Sequence, residues 1–225
     1  MKVLVLLVKK DLLVEFRSKE TITLLVALSL LLGVVAAFGI NSAFLSPDLV
    51  RRMFPAFLWM VFIFTATVSI GRSYDFELEH MGIEGLILSG VSPALIYCSK
   101  FLTNFLIVLP GHLFSLCVMA VLFNVNVLPV AGQLVLLSVL VTAAYCALST
   151  VLAAMASTSR LKDMLLPLIL LPLLFPVFFG ALETTADLLA RGAINTGSFW
   201  FSLIIALNFL YLVLGAQLYG HVIRE

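Results

Sequence analysis

Residues 101–159 form a run of 59 positions without a single Asp, Glu, Lys or Arg. Residues 21–40, 53–71, 164–182 and 192–223 are equally free of charge, and all 13 basic and 12 acidic side chains lie between or outside these blocks. A charge at the centre of a bilayer costs roughly 2.5–3.5 kcal/mol on insertion scales, so this partition belongs to a chain dissolved in lipid. About 20 apolar residues cross about 30 Å of hydrocarbon. Residues 21–40 and 53–71 each make one span. The long run is sized for two, with a turn at Asn124, Asn126 and Pro129, residue types that favour turns. The pattern therefore predicts six membrane helices near 21–40, 53–71, 100–123, 129–156, 164–180 and 198–220.

Composition agrees: 63% of residues are hydrophobic and mean hydropathy is +1.20. The loops set the orientation, because Lys and Arg are retained on the cytoplasmic side. Lys2, Lys9, Lys10, Arg17, Lys19, Arg72, Lys100, Arg160, Lys162 and Arg224 fall on one side, against Arg51, Arg52 and Arg191 on the other. Both termini are therefore expected in the cytoplasm. The run 3–8 is too short for a signal core and 21–40 too long, so the first span is expected to stay uncleaved. Cys98, Cys117 and Cys146 fall at or within spans, which implies packing and no disulfide framework. The chain contains no phosphate-binding loop, dinucleotide fingerprint, CxxC or HExxH. It is expected to bind no nucleotide, metal or nucleic acid itself.

Four segments carry more. In residues 1–20, Val5, Val8, Leu12 and Phe16 recur at helical spacing with Lys10 and Arg17 elsewhere, which fits a helix lying in the interface. A plain basic flank fits equally well. The loop 72–99 holds Asp75, Glu77, Glu79 and Glu84 against Arg72, together with many apolar residues. Anionic lipid would repel it, so it reads as a docking site for a protein, or else as a helix packed on its own bundle. The short basic loop 157–163 is chiefly topological. The fifth span carries Pro167, Pro172 and Pro176, each of which removes a backbone donor. A kinked or broken helix is expected there, followed by a separate amphipathic segment at 181–197 with Leu182, Ala186 and Leu189 opposite Glu183 and Asp187. Such a break would suit a gate.

His112 is the one histidine within a span. A neutral histidine bonded to a neighbouring helix is the common use of such a residue; a ligand or proton site is the functional alternative. His80 and His221 lie in cytoplasmic segments. A proton- or sodium-coupled carrier needs a carboxylate at mid-membrane, and none is predicted. The energy for transport would then come from a partner ATPase on the acidic loop.

The residues that carry a resemblance are Phe57, Leu58 and Trp59, then Arg72, Glu77, Glu79, Gly82, Glu84, Gly85, Leu86 and Ser89. The pattern continues through Val91, Ser92, Pro93, Ile96, Tyr97 and Lys100, through Ser157, Thr158, Ser159 and Arg160, and through 165–179 with its three prolines. Nearly the whole chain resembles the haem exporter protein B family, CcmB, with a local departure at Cys98 and Ser99. The resemblance implies an all-α membrane protein of the ABC-2 exporter type. Residues 1–20 would be its connecting helix. The loop 72–99 would be its coupling helix, with Arg72, Asp75, Glu77, Glu79, Glu84 and Gly85 against the ATPase. It further implies a non-catalytic subunit of the bacterial inner membrane, paired with a second copy. Its partners would be the A-subunit ATPase that binds ATP, a haem-handling C subunit, a small single-span D subunit and a periplasmic haem chaperone. Haem would be the cargo, or ATP hydrolysis would release the loaded chaperone. An ABC-2 exporter of another cargo, a secondary carrier or channel, and a haem-binding enzyme subunit are the competing readings. The last would need axial ligands that His112 alone does not supply.

Overall fold

The computed structural model describes residues 2–42, 46–79, 90–157 and 162–222. The described residues are helical, apart from short connections. The helices are α1 (Lys2–Ser18), α2 (Glu20–Ser42), α3 (Pro47–Glu79), α4 (Pro93–Leu122), α5 (Ala131–Ser157), α6 (Lys162–Arg191) and α7 (Phe199–Val222), with a 3-10 turn at Leu128–Val130. Among the described residues six helices, α2 to α7, are long and apolar enough to cross a membrane. The protein is an all-α membrane protein consistent with an ABC-2 exporter fold.

Helix α5 is the hub and touches α3, α4, α6 and α7. Its sequence explains this placement. Ala144, Cys146, Ala147, Ser149, Thr150, Ala153 and Ala154 are small and buried, so backbones can approach closely. Hydrogen bonds tie the neighbours to it. Asn104 of α4 donates to Thr150 Oγ1 at 3.1 Å, Tyr145 donates to Thr67 Oγ1 of α3 at 3.1 Å, and Asn208 of α7 donates to the Leu140 carbonyl at 3.0 Å. Helix α2 lies outside this group, against α3 and α4. The turn expected between the third and fourth spans is present. Asn124 adopts φ 52°, a left-handed conformation asparagine tolerates. Asn126 Oδ1 accepts the Leu128 amide at 3.2 Å.

Three boundaries differ from expectation. Helix α3 is 33 residues long, about 50 Å, and continues eight residues past Gly71 into the expected loop. The run 72–79 contains no glycine or proline, so an established helix propagates through it without a new nucleation cost. Helix α4 begins at Pro93, seven residues before the expected start, with Ser92 as N-cap and proline in the first turn. Proline is favoured at that position because its missing donor is unused there.

The third difference concerns the proline-rich span. The expected separate segment at 181–197 is absent as such: α6 is one 30-residue helix from Lys162 to Arg191. It passes through Pro167, Pro172 and Pro176. Leu170, Leu174, Val177, Ala181, Thr185 and Leu188 form one buried stripe along it, and packing on α3, α5 and α7 holds the helix together. Pro172 faces outward. Near Pro176, the Tyr211 hydroxyl donates to the Leu173 carbonyl at 2.6 Å. Helix α7 thus supplies one bond to the α6 backbone beside a proline, the kind of support that lets proline persist in a lipid-embedded helix. Of the expected outer stripe, Leu182 and Ala186 are half-buried and Leu189 is buried. The helix ends at Gly192, φ 78°, whose amide bonds the Leu188 carbonyl at 2.8 Å.

Candidate functional site

The alternating course of the spans brings α1, the extension of α3, the start of α4 and the end of α7 to one end of the bundle. Of the expected docking residues, Arg72, Asp75, Glu77 and Glu79 lie on the α3 extension. At 1.5 Å per residue, they carry the helix about 12 Å beyond Gly71. Glu84 and Gly85 lie outside the described residues, as does His80.

The element that follows this acidic stretch is firmly fixed. Four residues into α4, Tyr97 is 1% exposed and donates to the Ala147 carbonyl of α5 at 3.0 Å. Its ring lies 5.7 Å from that of Tyr219 on α7. Gly215 of α7 makes room for it: a Cβ there would lie 2.2 Å from the Tyr97 hydroxyl. No L side chain fits unless Tyr97 leaves its place. One turn further on, Lys100 is 4% exposed and its Nζ lies 2.8 Å from Asp11 Oδ2 of α1. Asp11 also meets the half-exposed Lys10 at 3.0 Å, and Glu15, one turn along α1, is buried. Burying ions costs several kcal/mol each, so such groups persist only when paired.

This ion pair was not legible as a pair. Lys100 stands at the edge of the long charge-free run, where its sequence position marks orientation and belongs to the family pattern but names no partner. The available signal was the spacing of Leu7, Asp11 and Glu15, which places two carboxylates on one face of α1. In sequence, Arg51 is likewise only a topological marker. It donates to the Leu189 carbonyl and so satisfies a free carbonyl in the last turn of α6.

His112 is 2% exposed. Its ring lies 5.0 Å from Trp59 and 4.5 Å from Phe62, both on α3. Neither ring nitrogen meets a protein hydrogen-bond partner, so the expected bond to a neighbouring helix is not formed. Trp59 instead donates to Thr185 Oγ1 at 3.0 Å. A buried polar group left unpaired costs about 1–3 kcal/mol. His112→Phe is therefore expected to stabilise the protein by about that amount, read as delayed thermal unfolding in detergent. A destabilised His112→Phe protein would show that the nitrogens have a partner in the working state. Among the described residues, no group of three or more His, Cys, Asp or Glu is placed to hold a metal ion.

The profile of a known family, described as CcmB protein, matches residues 1–225. The chain belongs to the CcmB family. No match is found among curated proteins. Membership makes the chain a CcmB-type membrane permease.

Proposed function

We propose that this permease couples ATP hydrolysis by a partner ATPase to cytochrome c biogenesis, either by exporting haem or by releasing a haem-loaded periplasmic chaperone. The family match over the full chain is the observation that carries this reading. The partners would be the family's A-subunit ATPase, its C and D subunits and a second copy of this chain. The α1 end would face the cytoplasm of a bacterial inner membrane, in keeping with the excess of Lys and Arg at that end. The ATPase would meet the acidic stretch 72–85. Its push would enter α4, whose first turns hold α5 and α7 through Tyr97 and α1 through Lys100. Co-purification with the neighbouring subunits tests this, with ATP hydrolysis measured with and without this chain. Hydrolysis by the chain alone, or an ATPase indifferent to it, would remove the reading.

Pro172 and Pro176 would serve this cycle as a compliant point in α6. Each lacks the amide that stiffens a helix, so α6 can bend there when α5 and α7 move. Replacing both with alanine is expected to leave assembly with the ATPase intact and to lower cytochrome c maturation in cells. Normal maturation in the double variant would refute the gate, and loss of assembly would assign the prolines to packing.

A further inference from the structure

Helix α1 divides its charges in an unusual way. Its carboxylates Asp11 and Glu15 turn inward, where Asp11 meets Lys100. Lys2, Lys9, Lys10 and Arg17 stay exposed. Between these cations, the outer surface of the helix is hydrocarbon: Val3, Val5, Leu6, Leu13 and Phe16 are 47–65% exposed. Part of that surface is concave. An open groove of about 440 Å³ runs between α1 and α4, bounded by Val5, Val8, Leu12, Phe16 and Leu102, with the Lys9 stem on its wall.

We propose that this groove is a binding site for an anionic phospholipid, with an acyl chain along the groove and the phosphate at Lys9. Three features select that occupant. The walls present apolar carbon and lack the convergent polar groups that orient a small polar ligand. The lysine stem joins the wall while its ammonium can reach outward to the headgroup level. The surrounding exposed charges on α1 are basic, because the acids are withdrawn into the protein, and basic residues at a membrane surface each attract anionic lipid by about 1 kcal/mol. An interfacial helix with an apolar outer face and basic flanks binds lipid by both effects together. The site lies on the helix joined to Lys100, so a lipid bound there would brace α1 against the start of α4. This inference needs only the membrane fold and stands apart from the cargo.

The test places a tryptophan reporter, Leu13→Trp, at the groove of the full chain. The variant is reconstituted in phosphatidylcholine vesicles containing equal mole fractions of brominated phosphatidylglycerol or, separately, brominated phosphatidylcholine. The signal is corrected for Trp59 and Trp200 with the unsubstituted protein. Brominated phosphatidylglycerol is expected to quench the reporter with about fivefold higher relative affinity, the factor that corresponds to one basic contact. Adding Lys9→Glu should remove most of that preference, the other cations of α1 lying off the groove. Adding Val8→Phe, which fills the groove, should reduce quenching by both. Equal quenching in the Leu13→Trp protein would overturn the proposal, and so would an anionic preference that Lys9→Glu leaves undiminished. Shielding from both lipids once the partner subunits are present would give the groove to a protein helix and also overturn it.

Discussion

Replacing Lys100 with methionine is expected to destabilise the protein by roughly 3 kcal/mol, the lower end of the range for breaking a buried ion pair. Methionine fills the space of the lysine stem, so packing loss is small. The penalty comes from Asp11, which is 8% exposed and loses its buried partner at 2.8 Å. Lys10 at 3.0 Å remains and softens the loss only in part, since it is half in solvent and its attraction is screened. Glu15, buried on the same face of α1, adds to the loss because the same cation lies near it. Adding Asp11→Leu to Lys100→Met should recover much of the stability, because an apolar pair of similar size often replaces a buried ion pair at little cost. Thermal unfolding of the single and double variants in detergent measures both effects. Equal stability of wild type and Lys100→Met would mean that Asp11 finds water or Lys10 at no cost and that α1 is only loosely attached to α4.

Much of the architecture was legible because lipid enforces a simple rule. Charge is excluded from the spans, so five charge-free blocks mark six spans, and the turn at Asn124 that divides the longest block follows from residue types alone. Helix ends were harder to place. The span rule locates where a helix leaves hydrocarbon, whereas the backbone of α3 goes on propagating past that point, through Glu79. Pro93 carries a helix-start signal of its own, seven residues ahead of the expected start of the span. The prolines of α6 misled for a related reason. Local chemistry favours a break at Pro172 and Pro176, but the stripe from Leu170 to Leu188 packs along its whole length, and tertiary contacts decide. The partners of polar groups were least legible. Lys100 with Asp11 is a contact across 89 positions and Tyr97 with the Ala147 carbonyl one across 50; such pairs depend on how helices are arranged, which periodicity within one helix does not encode. The acidic residues 72–85 could be singled out by composition, and their role rests on experiment.

Reversing Glu77, Glu79 and Glu84 to lysine is expected to release the ATPase while the permease remains in the membrane. The three positions lie beyond Gly71, outside the hydrophobic span, so their charge has no part in inserting the helix. Glu77 and Glu79 are carried on α3, and lysine is as good a helix former as glutamate, so the extension should persist. Three reversals change the local charge by about six units, and placing like charges across a complementary interface costs several kcal/mol. Each 1.4 kcal/mol is tenfold in affinity, which is enough to lose a subunit during purification. Lysine at the end of a helix also favours its C-terminal dipole, so a lost complex would reflect the interface and not a melted helix. Two measurements separate the outcomes: membrane yield of the permease, expected to be unchanged, and ATPase recovered with it, expected to fall by at least tenfold. Recovery of the ATPase at wild-type levels would show that these carboxylates serve the bundle and that docking lies elsewhere. Partial release that worsens with added salt would contradict a simple charge reversal, since salt screens the new repulsion and should bring the partner back.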